Sequence, residues 1–222
     1  MLDFAAARRM MVDGQVRTSD VTDLRIVAAM LELPRERFVP PSCAALAYLD
    51  RDAPAEQGGG AQGRRLLKPM VLAKLVQAAA VDEQDRVLDI GCATGYSSAL
   101  LARLAASVLA LEEDPALAAQ AEQNLAAVGA SNVRVVVGPL TAGWPAAAPF
   151  DVIFVNGAVE VVPEPIRAQL KEGGRLLAVV GRAPVARAMR YRASGGDVSG
   201  WPVFDATAPL LPGFAVPPAF VF

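Results

Sequence analysis

The residues best suited to chemistry form a glycine-rich turn between an apolar run and a helical pattern. The turn lies in residues 87–96 (VLDIGCATGY), and Glu112 ends the next apolar run. Glycine lets the backbone approach a ligand closely, and the first N–H groups of a helix attract an anion such as a carboxylate. An acid at the end of the second strand is typical of groups that hold ribose hydroxyls. The pattern therefore predicts a site for a ligand with a nucleoside and a carboxylate.

Other nucleotide sites fit this turn less well. A dinucleotide fingerprint, GxGxxG, would require glycine where the sequence has Ala93 and Tyr96, and no GxxxxGK[ST] phosphate loop occurs. The turn could also be a structural feature of an α/β domain that binds no nucleotide. The order of strand, turn, helix and acid-ended strand favours ligand binding. The candidate contacts are Asp89, Gly91, Cys92, Ala93, Gly95 and Glu112.

The composition excludes several kinds of chemistry and of partner. The sequence has no histidine, which removes Ser-His-Asp and Cys-His catalysis and histidine-ligated metals, and we expect no metal site. The formal net charge is -2, so no overall charge draws the chain to nucleic acid or to an anionic membrane, and we expect neither as a partner. Cys43 and Cys92 are too few for a disulfide framework, which favours a cytoplasmic location.

Short apolar runs alternate with helical patterns along the later chain, as a parallel sheet requires. A Ser19/Asp20 cap is expected to begin an amphipathic helix that ends near Leu33. We expect strands at residues 86–90, 107–112, 133–137, 150–156, 175–180, 188–192 and 201–206, and further helices at 69–80, 95–104, 114–128 and 164–170.

These elements predict an α/β fold with a mostly parallel twisted sheet, helices on both faces and an N-terminal helical lobe. A Gly-rich loop at residues 53–63 separates the two parts. We expect residues 1–68 to form the helical lobe and a substrate loop. Residues 69–222 are then the Rossmann-like core.

Further motifs recur along nearly the whole chain. They are MVDGQVR at 11–17, VTDLRI at 21–26, PRERFVP at 34–40, AYLD at 47–50, APFD at 148–151, QLKEGGRL at 169–176 and VG at 180–181. With the glycine turn, these segments resemble the protein-L-isoaspartate O-methyltransferase family. The resemblance implies an S-adenosylmethionine-dependent methyltransferase fold and S-adenosylmethionine as the cofactor. It also implies protein repair, in which the isoaspartyl α-carboxylate of a protein or peptide substrate is methylated.

The chain departs from the family where the acceptor would bind. The family's Gly-Gln-Thr-Ile-Ser before a proline aligns with residues 63–69 (GRRLLKP), so the hydroxyl residues are replaced. The loop before it, residues 55–62, is longer than usual. Arg64, Arg65 and Leu67 are thus the substrate-loop candidates, while the catalytic residues stay unassigned. The two arginines either clamp a substrate carboxylate or are solvated loop residues.

The chain also departs from the family at the cofactor. The family's Gly-Asp-Gly after the third strand becomes Gly138-Pro139-Leu140, which removes an acid expected to bind the adenine amino group. Ala93 replaces the middle glycine of the turn, a mild change if its φ is negative. Asp89 either orients the turn or faces solvent at a strand end. Gly138, Pro139, Leu140 and Asn156 complete the predicted cofactor contacts.

Two functional hypotheses follow. A carboxylate is already ionised at neutral pH, so its methylation from a sulfonium needs positioning and desolvation more than a general base. A site without histidine can therefore work as a carboxyl O-methyltransferase of the isoaspartyl-repair type. The alternative is a paralogue that binds S-adenosylmethionine or a partner without isoaspartyl methylation. The oligomeric state is not predicted.

Overall fold

The N-terminal segment forms two α-helices joined by a π-helical turn and a 3-10 turn. The structure, a computed structural model, describes residues 3–58 and 63–216. Helix α1 (Phe4–Met11) continues into a π-helical turn, Val12–Val16, and a 3-10 turn, Arg17–Ser19. Helix α2 is Leu24–Glu32. These helices pack against the rest of the molecule through buried residues such as Met11 and Met30.

The predicted start of α2 is wrong. Asp23 caps this helix, since its side chain accepts a hydrogen bond from the Arg25 N–H at 2.9 Å. Asp20 has a φ of 62°, in the left-handed region, and it ends the preceding 3-10 turn. The predicted Ser19/Asp20 cap therefore lies one turn too early, because several side chains able to cap stand close together in the sequence.

A short hairpin lies between the N-terminal helices and the large sheet. Strand β1 (Ala53–Pro54) pairs antiparallel with β2 (Arg65–Leu66). Part of the predicted loop at 53–63 is thus a two-residue ladder, whereas residues 59–62 of that loop lie outside the described residues. Helix α3 (Pro69–Ala79) follows, with proline in its first turn as predicted.

The main sheet has seven strands among the described residues. They are β3 (Arg86–Ile90), β4 (Ser107–Glu112), β5 (Val133–Val137), β6 (Phe150–Val159), β7 (Leu170–Val180), β8 (Arg187–Ser194) and β9 (Asp197–Asp205), in the spatial order β5-β4-β3-β6-β7-β8-β9. The first five strands of that order are parallel, and β8 and β9 are antiparallel. This confirms the predicted α/β class and the mostly parallel sheet.

The helices between the strands cover both faces of the sheet. Helices α4 (Tyr96–Ala102) and α5 (Pro115–Ala127) lie between β3, β4 and β5, and α6 (Glu164–Arg167) lies between β6 and β7. Alternate residues of β6 enter two separate hydrophobic clusters. Val152 belongs to the cluster that includes residues of α3, α4 and α5, and Ile153 belongs to the cluster that includes Ile166 of α6 and Leu211. The core therefore has two layers, one on each side of the sheet.

Several predicted elements differ in length from the observed ones, and β7 begins at Leu170 rather than at Arg175. Strand β6 continues to Val159, and β9 begins earlier, at Asp197. Helix α6 is one turn that ends at Arg167, because Leu170 already pairs with Phe150 at the start of β7. Among residues 3–58 and 63–216, we find no helix that is both long and apolar enough for a membrane span.

The topology places a crevice above β3. The chain runs outward from β3 through β4 to β5 and then returns to the other side of β3 with β6. Ligands of open α/β sheets bind at such a reversal, outside the carboxyl ends of the strands. The turn at 91–95, Glu112 and Asn156 all lie at this edge of the sheet.

Candidate active site

The glycine turn after β3 alternates between ordinary and left-handed backbone. Gly91 has a φ of 78°, Ala93 of 50° and Gly95 of 95°. The N–H groups of Gly91 and Cys92 both donate to the Leu111 carbonyl, which ties the turn to β4. The condition of a negative φ at Ala93 is therefore not met. A left-handed residue with a Cβ is strained by roughly 1–2 kcal/mol, so the replacement of glycine here is not mild.

Glu112 faces this turn and is fully buried. Its Oε2 accepts hydrogen bonds from the Ala93 N–H at 2.7 Å and from Arg64 Nη2 at 3.0 Å. Its Oε1 accepts from the N–H groups of Glu113 at 3.0 Å and Asp114 at 3.4 Å. The bond to the Ala93 N–H fixes the left-handed residue, so the strand-end acid and the turn are one unit.

Arg64 brings a cation into the same place from the hairpin. Its side chain is 9% exposed, and Nη2 also donates to the Gly91 carbonyl at 2.7 Å. The backbone N–H of Arg64 donates to Glu56 Oε1, and the Arg64 carbonyl accepts from the Ala55 N–H. The guanidinium Nε and Nη1 are buried and have no hydrogen-bond partner in the described part of the chain.

Asp89 lies beneath the turn rather than in solvent. Its Oδ2 accepts hydrogen bonds from Ser97 Oγ at 2.7 Å and Ser98 Oγ at 2.6 Å, and so ties β3 to the first turn of α4. Burial raises the pKa of Asp89 to about 6, although the two serine hydroxyls oppose the shift. These two serines were not among the predicted site residues. The available signal was a pair of hydroxyls immediately after the glycine turn.

Asn156 and the C-terminal segment close the other side of the crevice. Asn156 Nδ2 donates to the Gly91 carbonyl at 3.0 Å. The Ala158 N–H donates to the Pro209 carbonyl at 2.7 Å, and the Leu211 N–H donates to the Ala158 carbonyl at 2.9 Å. Leu211 therefore lies over Gly91, and the cavity that remains between Arg64, Asn156 and Leu211 is about 10 Å³. Sequence periodicity gave no sign of this closure.

The remaining cofactor candidates lie against the core. The Gly138 N–H donates to the Glu112 carbonyl, and the Trp144 ring packs against Gly138. Pro139 precedes a 3-10 turn that begins at Leu140, whose side chain is fully buried. Cys92 is also fully buried, and burial raises the pKa of its thiol well above the usual value. Leu140 and Cys92 can thus contribute backbone atoms to a ligand site rather than side chains.

The substrate-loop candidates separate into different environments. The Leu67 side chain is buried in the core, while Arg65 is half-buried in β2 opposite Pro54. The Leu67 carbonyl accepts from Nη2 of Arg35 at 2.7 Å. Arg35 is itself fully buried, and its guanidinium carbon lies 4.7 Å from the centre of the Tyr96 ring. Arg35, which the sequence analysis did not identify as a site residue, thus connects the substrate loop to α4.

The residues present fit a ligand with sugar hydroxyls and an amino acid. Acceptor oxygens of Glu112 and Gly91 meet at the turn, and Asp89 Oδ1 is buried without a partner in the described residues. Gly91 has a φ of 78°, which favours glycine, and a Cβ there would lie 2.9 Å from Arg64 Nη2. Together with the strand reversal, these features indicate a Rossmann-like fold with a site for a nucleoside-containing ligand.

Comparison with known proteins identifies the family. The model of the family described as protein-L-isoaspartate(D-aspartate) O-methyltransferase matches residues 7–201. The chain belongs to this family. This confirms the resemblance found in the sequence, and with it the class of carboxyl O-methyltransferase and S-adenosylmethionine as the cofactor.

Individual relatives agree with this assignment. A protein-L-isoaspartate O-methyltransferase of Methanoculleus marisnigri is 41% identical over 174 residues, which are 78% of this chain and 77% of the relative. One of Roseiflexus is 36% identical and covers 96% of both chains. A solved protein-L-isoaspartate O-methyltransferase superposes with a TM-score of 0.80 at 28% identity, over 93% of this chain and 66% of that protein.

One further solved structure supports the fold alone. It is a putative protein-L-isoaspartate O-methyltransferase from Plasmodium falciparum in complex with S-adenosyl-L-homocysteine. It superposes with a TM-score of 0.76 at 16% identity and covers 90% of this chain and 96% of its own.

Proposed function

We propose that this chain transfers a methyl group from S-adenosylmethionine to the ionised α-carboxylate of an isoaspartyl residue in a protein or peptide. The observation that carries the proposal is the position of Glu112. Its carboxylate faces the glycine turn and holds the Ala93 N–H, at the strand reversal where the fold accepts a ligand. The activity is that of the family to which the chain belongs.

We assign the donor-binding role to the turn and its neighbours. Glu112 is suited to sugar hydroxyls, and the Gly91 carbonyl is suited to an ammonium group. Asp89 holds the start of α4 and so keeps the turn in shape. The contribution of Gly138-Pro139-Leu140 is limited to backbone atoms and the proline ring, because no acid is present there.

The reaction needs little acid–base help from the protein. S-adenosylmethionine supplies the methyl group on a positively charged sulfur. The acceptor carboxylate is ionised at neutral pH, so the site must orient it and exclude water. Leu211 gives the crevice a buried apolar wall, and Arg64 supplies a cation close to it. A carboxylate in such a place is desolvated beside a compensating charge.

Two measurements test the proposal. Calorimetry with S-adenosylhomocysteine tests donor binding, and a methyl-transfer assay compares an isoaspartyl peptide with the matched aspartyl peptide. We expect binding and transfer to the isoaspartyl peptide alone. Binding without transfer to either peptide would favour the paralogue hypothesis, and the absence of binding would refute the assignment of the glycine turn.

We also propose a division of labour and a location. Residues 1–68 serve the acceptor side and residues 69–222 bind the donor, a division supported by the hydrogen bond from Arg35 to the Leu67 carbonyl across the proposed lobe. Cys43 and Cys92 are free thiols, which supports a reducing, cytoplasmic compartment. Fractionation of cells that express the tagged full chain would test the location.

A further inference from the structure

The carboxylate of Glu112 has no acceptor position left for a ligand. A carboxylate offers about four positions, two on each oxygen. The Ala93 N–H and Arg64 Nη2 take those of Oε2, and the N–H groups of Glu113 and Asp114 take those of Oε1. A sugar hydroxyl can donate to Glu112 only if one of these four donors leaves.

Arg64 is the donor that can leave. The other three are backbone N–H groups: Ala93 lies in the turn, and Glu113 and Asp114 lie directly after β4 and before α5. Moving any of them would deform the fold. Arg64 needs only a rotation of its long side chain, while its backbone stays in the hairpin through hydrogen bonds with Glu56 and Ala55. Sugar binding at Glu112 therefore displaces the guanidinium.

The displaced guanidinium remains close to the acceptor side and needs an anion there. Its Nε and Nη1 are already buried without a partner in the described residues, so two donor directions are open before any movement. Burial of a cation is costly unless a counter-charge and hydrogen bonds compensate it. Carboxylate is the anion that the guanidinium geometry matches best, apart from phosphate.

From these contacts, together with the proposed function on which the step rests, we infer that Arg64 exchanges one carboxylate for another. In the free chain Arg64 pairs with Glu112. When the sugar of the methyl donor forms hydrogen bonds with Glu112, Arg64 leaves it and then binds the carboxylate of the acceptor. Arg64 is thus a specificity-determining residue for anionic acceptors. Arg64 also couples donor binding to acceptor binding, because donor binding frees its guanidinium to bind the acceptor carboxylate.

The exchange is compatible with the chemistry of transfer. One carboxylate oxygen of the acceptor can stay on Arg64 while the other forms the bond to the methyl carbon. The carbon–sulfur bond breaks and its electron pair goes to sulfur, so no proton moves. The product is a neutral ester, which binds a guanidinium more weakly than a carboxylate does. Arg64 therefore also favours product release.

Calorimetry on Arg64→Ala and Arg64→Gln separates this role from a structural one. The probes are S-adenosylhomocysteine and 5′-methylthioadenosine, which share the sugar but differ in the amino-acid part. We expect both variants to bind both probes more tightly than the original chain, by about tenfold, because the competitor for Glu112 is gone. We expect the KM for the isoaspartyl peptide to rise by about tenfold or more in the same variants.

Other outcomes would overturn the inference. If Arg64 receives the carboxylate of the donor instead, the variants bind S-adenosylhomocysteine no more tightly than the original chain, while they still bind 5′-methylthioadenosine more tightly. Unchanged affinity for both probes would mean that Arg64 does not compete for Glu112. An unchanged peptide KM would remove the acceptor role. Arg17→Gln is the matched control, since Arg17 pairs with Asp13 on the exposed N-terminal surface, and it should change none of these values.

The calorimetric measurement of probe binding does not require the chain to methylate a peptide. If the original chain binds the probes but methylates no peptide, the proposed function fails, yet the predicted tightening in the Arg64 variants can still be measured. If the chain methylates the peptide and the variants bind the probes unchanged, the exchange fails alone. Arg64→Gln guards against misfolding of the alanine variant, and thermal unfolding of each protein confirms that it is folded.

Discussion

The two sides of the crevice are built in different ways. The donor side comes from one continuous strand–turn–helix–strand unit, residues 86–112, and is held by backbone hydrogen bonds such as those to the Leu111 carbonyl. The proposed acceptor side combines Arg64 of the hairpin with Leu211 of the C-terminal segment, which are far apart in the chain. Its closure depends on the Arg64 and Leu211 side chains.

This difference shows where the site can adapt. A backbone-held turn keeps its shape when one side chain changes, whereas side chains from distant segments can rotate or repack. We expect donor binding to tolerate changes in Leu211, and acceptor choice to depend on it.

The largest expected effect comes from removing the link between the two sides. Glu112→Ala leaves Arg64 buried without its counter-charge, and we expect a loss of about 3–5 kcal/mol in the free energy of unfolding, together with a loss of donor binding. Urea denaturation measures the first and calorimetry the second. Glu113→Ala, at an exposed neighbour, should change stability by no more than about 0.5 kcal/mol. Equal losses in the two variants would contradict the buried pair.

Asp89 gives the donor side a pH dependence. Its pKa is about 6 in the folded chain against 3.8 for an ordinary aspartate, so the folded state binds more protons between these values. The stabilisation of the folded state that the raised pKa of Asp89 contributes is fully present below about pH 4. It is lost as the pH rises through about 6, which lowers the free energy of unfolding by about 3 kcal/mol. Asp89→Asn should remove this slope.

Urea denaturation at several pH values between about 4 and 7 measures the Asp89 contribution as the difference between the original chain and Asp89→Asn. The difference isolates Asp89 from other carboxyls such as Asp52, whose pKa burial also raises. Glu112 and Arg64 both influence the charge at Asp89. The same slope in both proteins would show that Asp89 does not titrate in this range.

Gly157→Ala tests whether Leu211 can move to make room for an added methyl group. A Cβ at this position would lie 2.6 Å from Cγ and Cδ2 of Leu211 and 3.1 Å from the Pro209 carbonyl oxygen. We expect a loss of about 1–3 kcal/mol in stability, as for other overpacked sites, and faster hydrogen exchange at the Leu211 amide. Adding Leu211→Ala should recover part of the loss. No recovery would mean that the backbone, rather than Leu211, resists the change.

The sequence predicted the strand–turn–helix–strand unit at residues 86–112 well because that unit is local. The bounds of β3, β4 and β5 match the predicted strands, and Asp114 caps α5 as expected, since apolar runs and caps act over a few neighbouring residues. The position of Glu112 at the end of β4 could be predicted for the same reason. The contacts of Arg35 and Leu211 could not be predicted, because packing between distant segments leaves no periodic pattern.

Ala93→Gly is expected to have the smallest effect, with the opposite sign. Glycine adopts a φ of 50° without strain, so the unfolding free energy should rise by about 0.5–1 kcal/mol once its greater freedom in the unfolded chain is subtracted. Donor affinity should stay unchanged, because the N–H that Glu112 holds is retained. Ala99→Gly, inside α4, should instead destabilise, by about 1 kcal/mol or more. If Ala93→Gly also destabilised the chain in thermal unfolding, the turn would be held by more than its backbone.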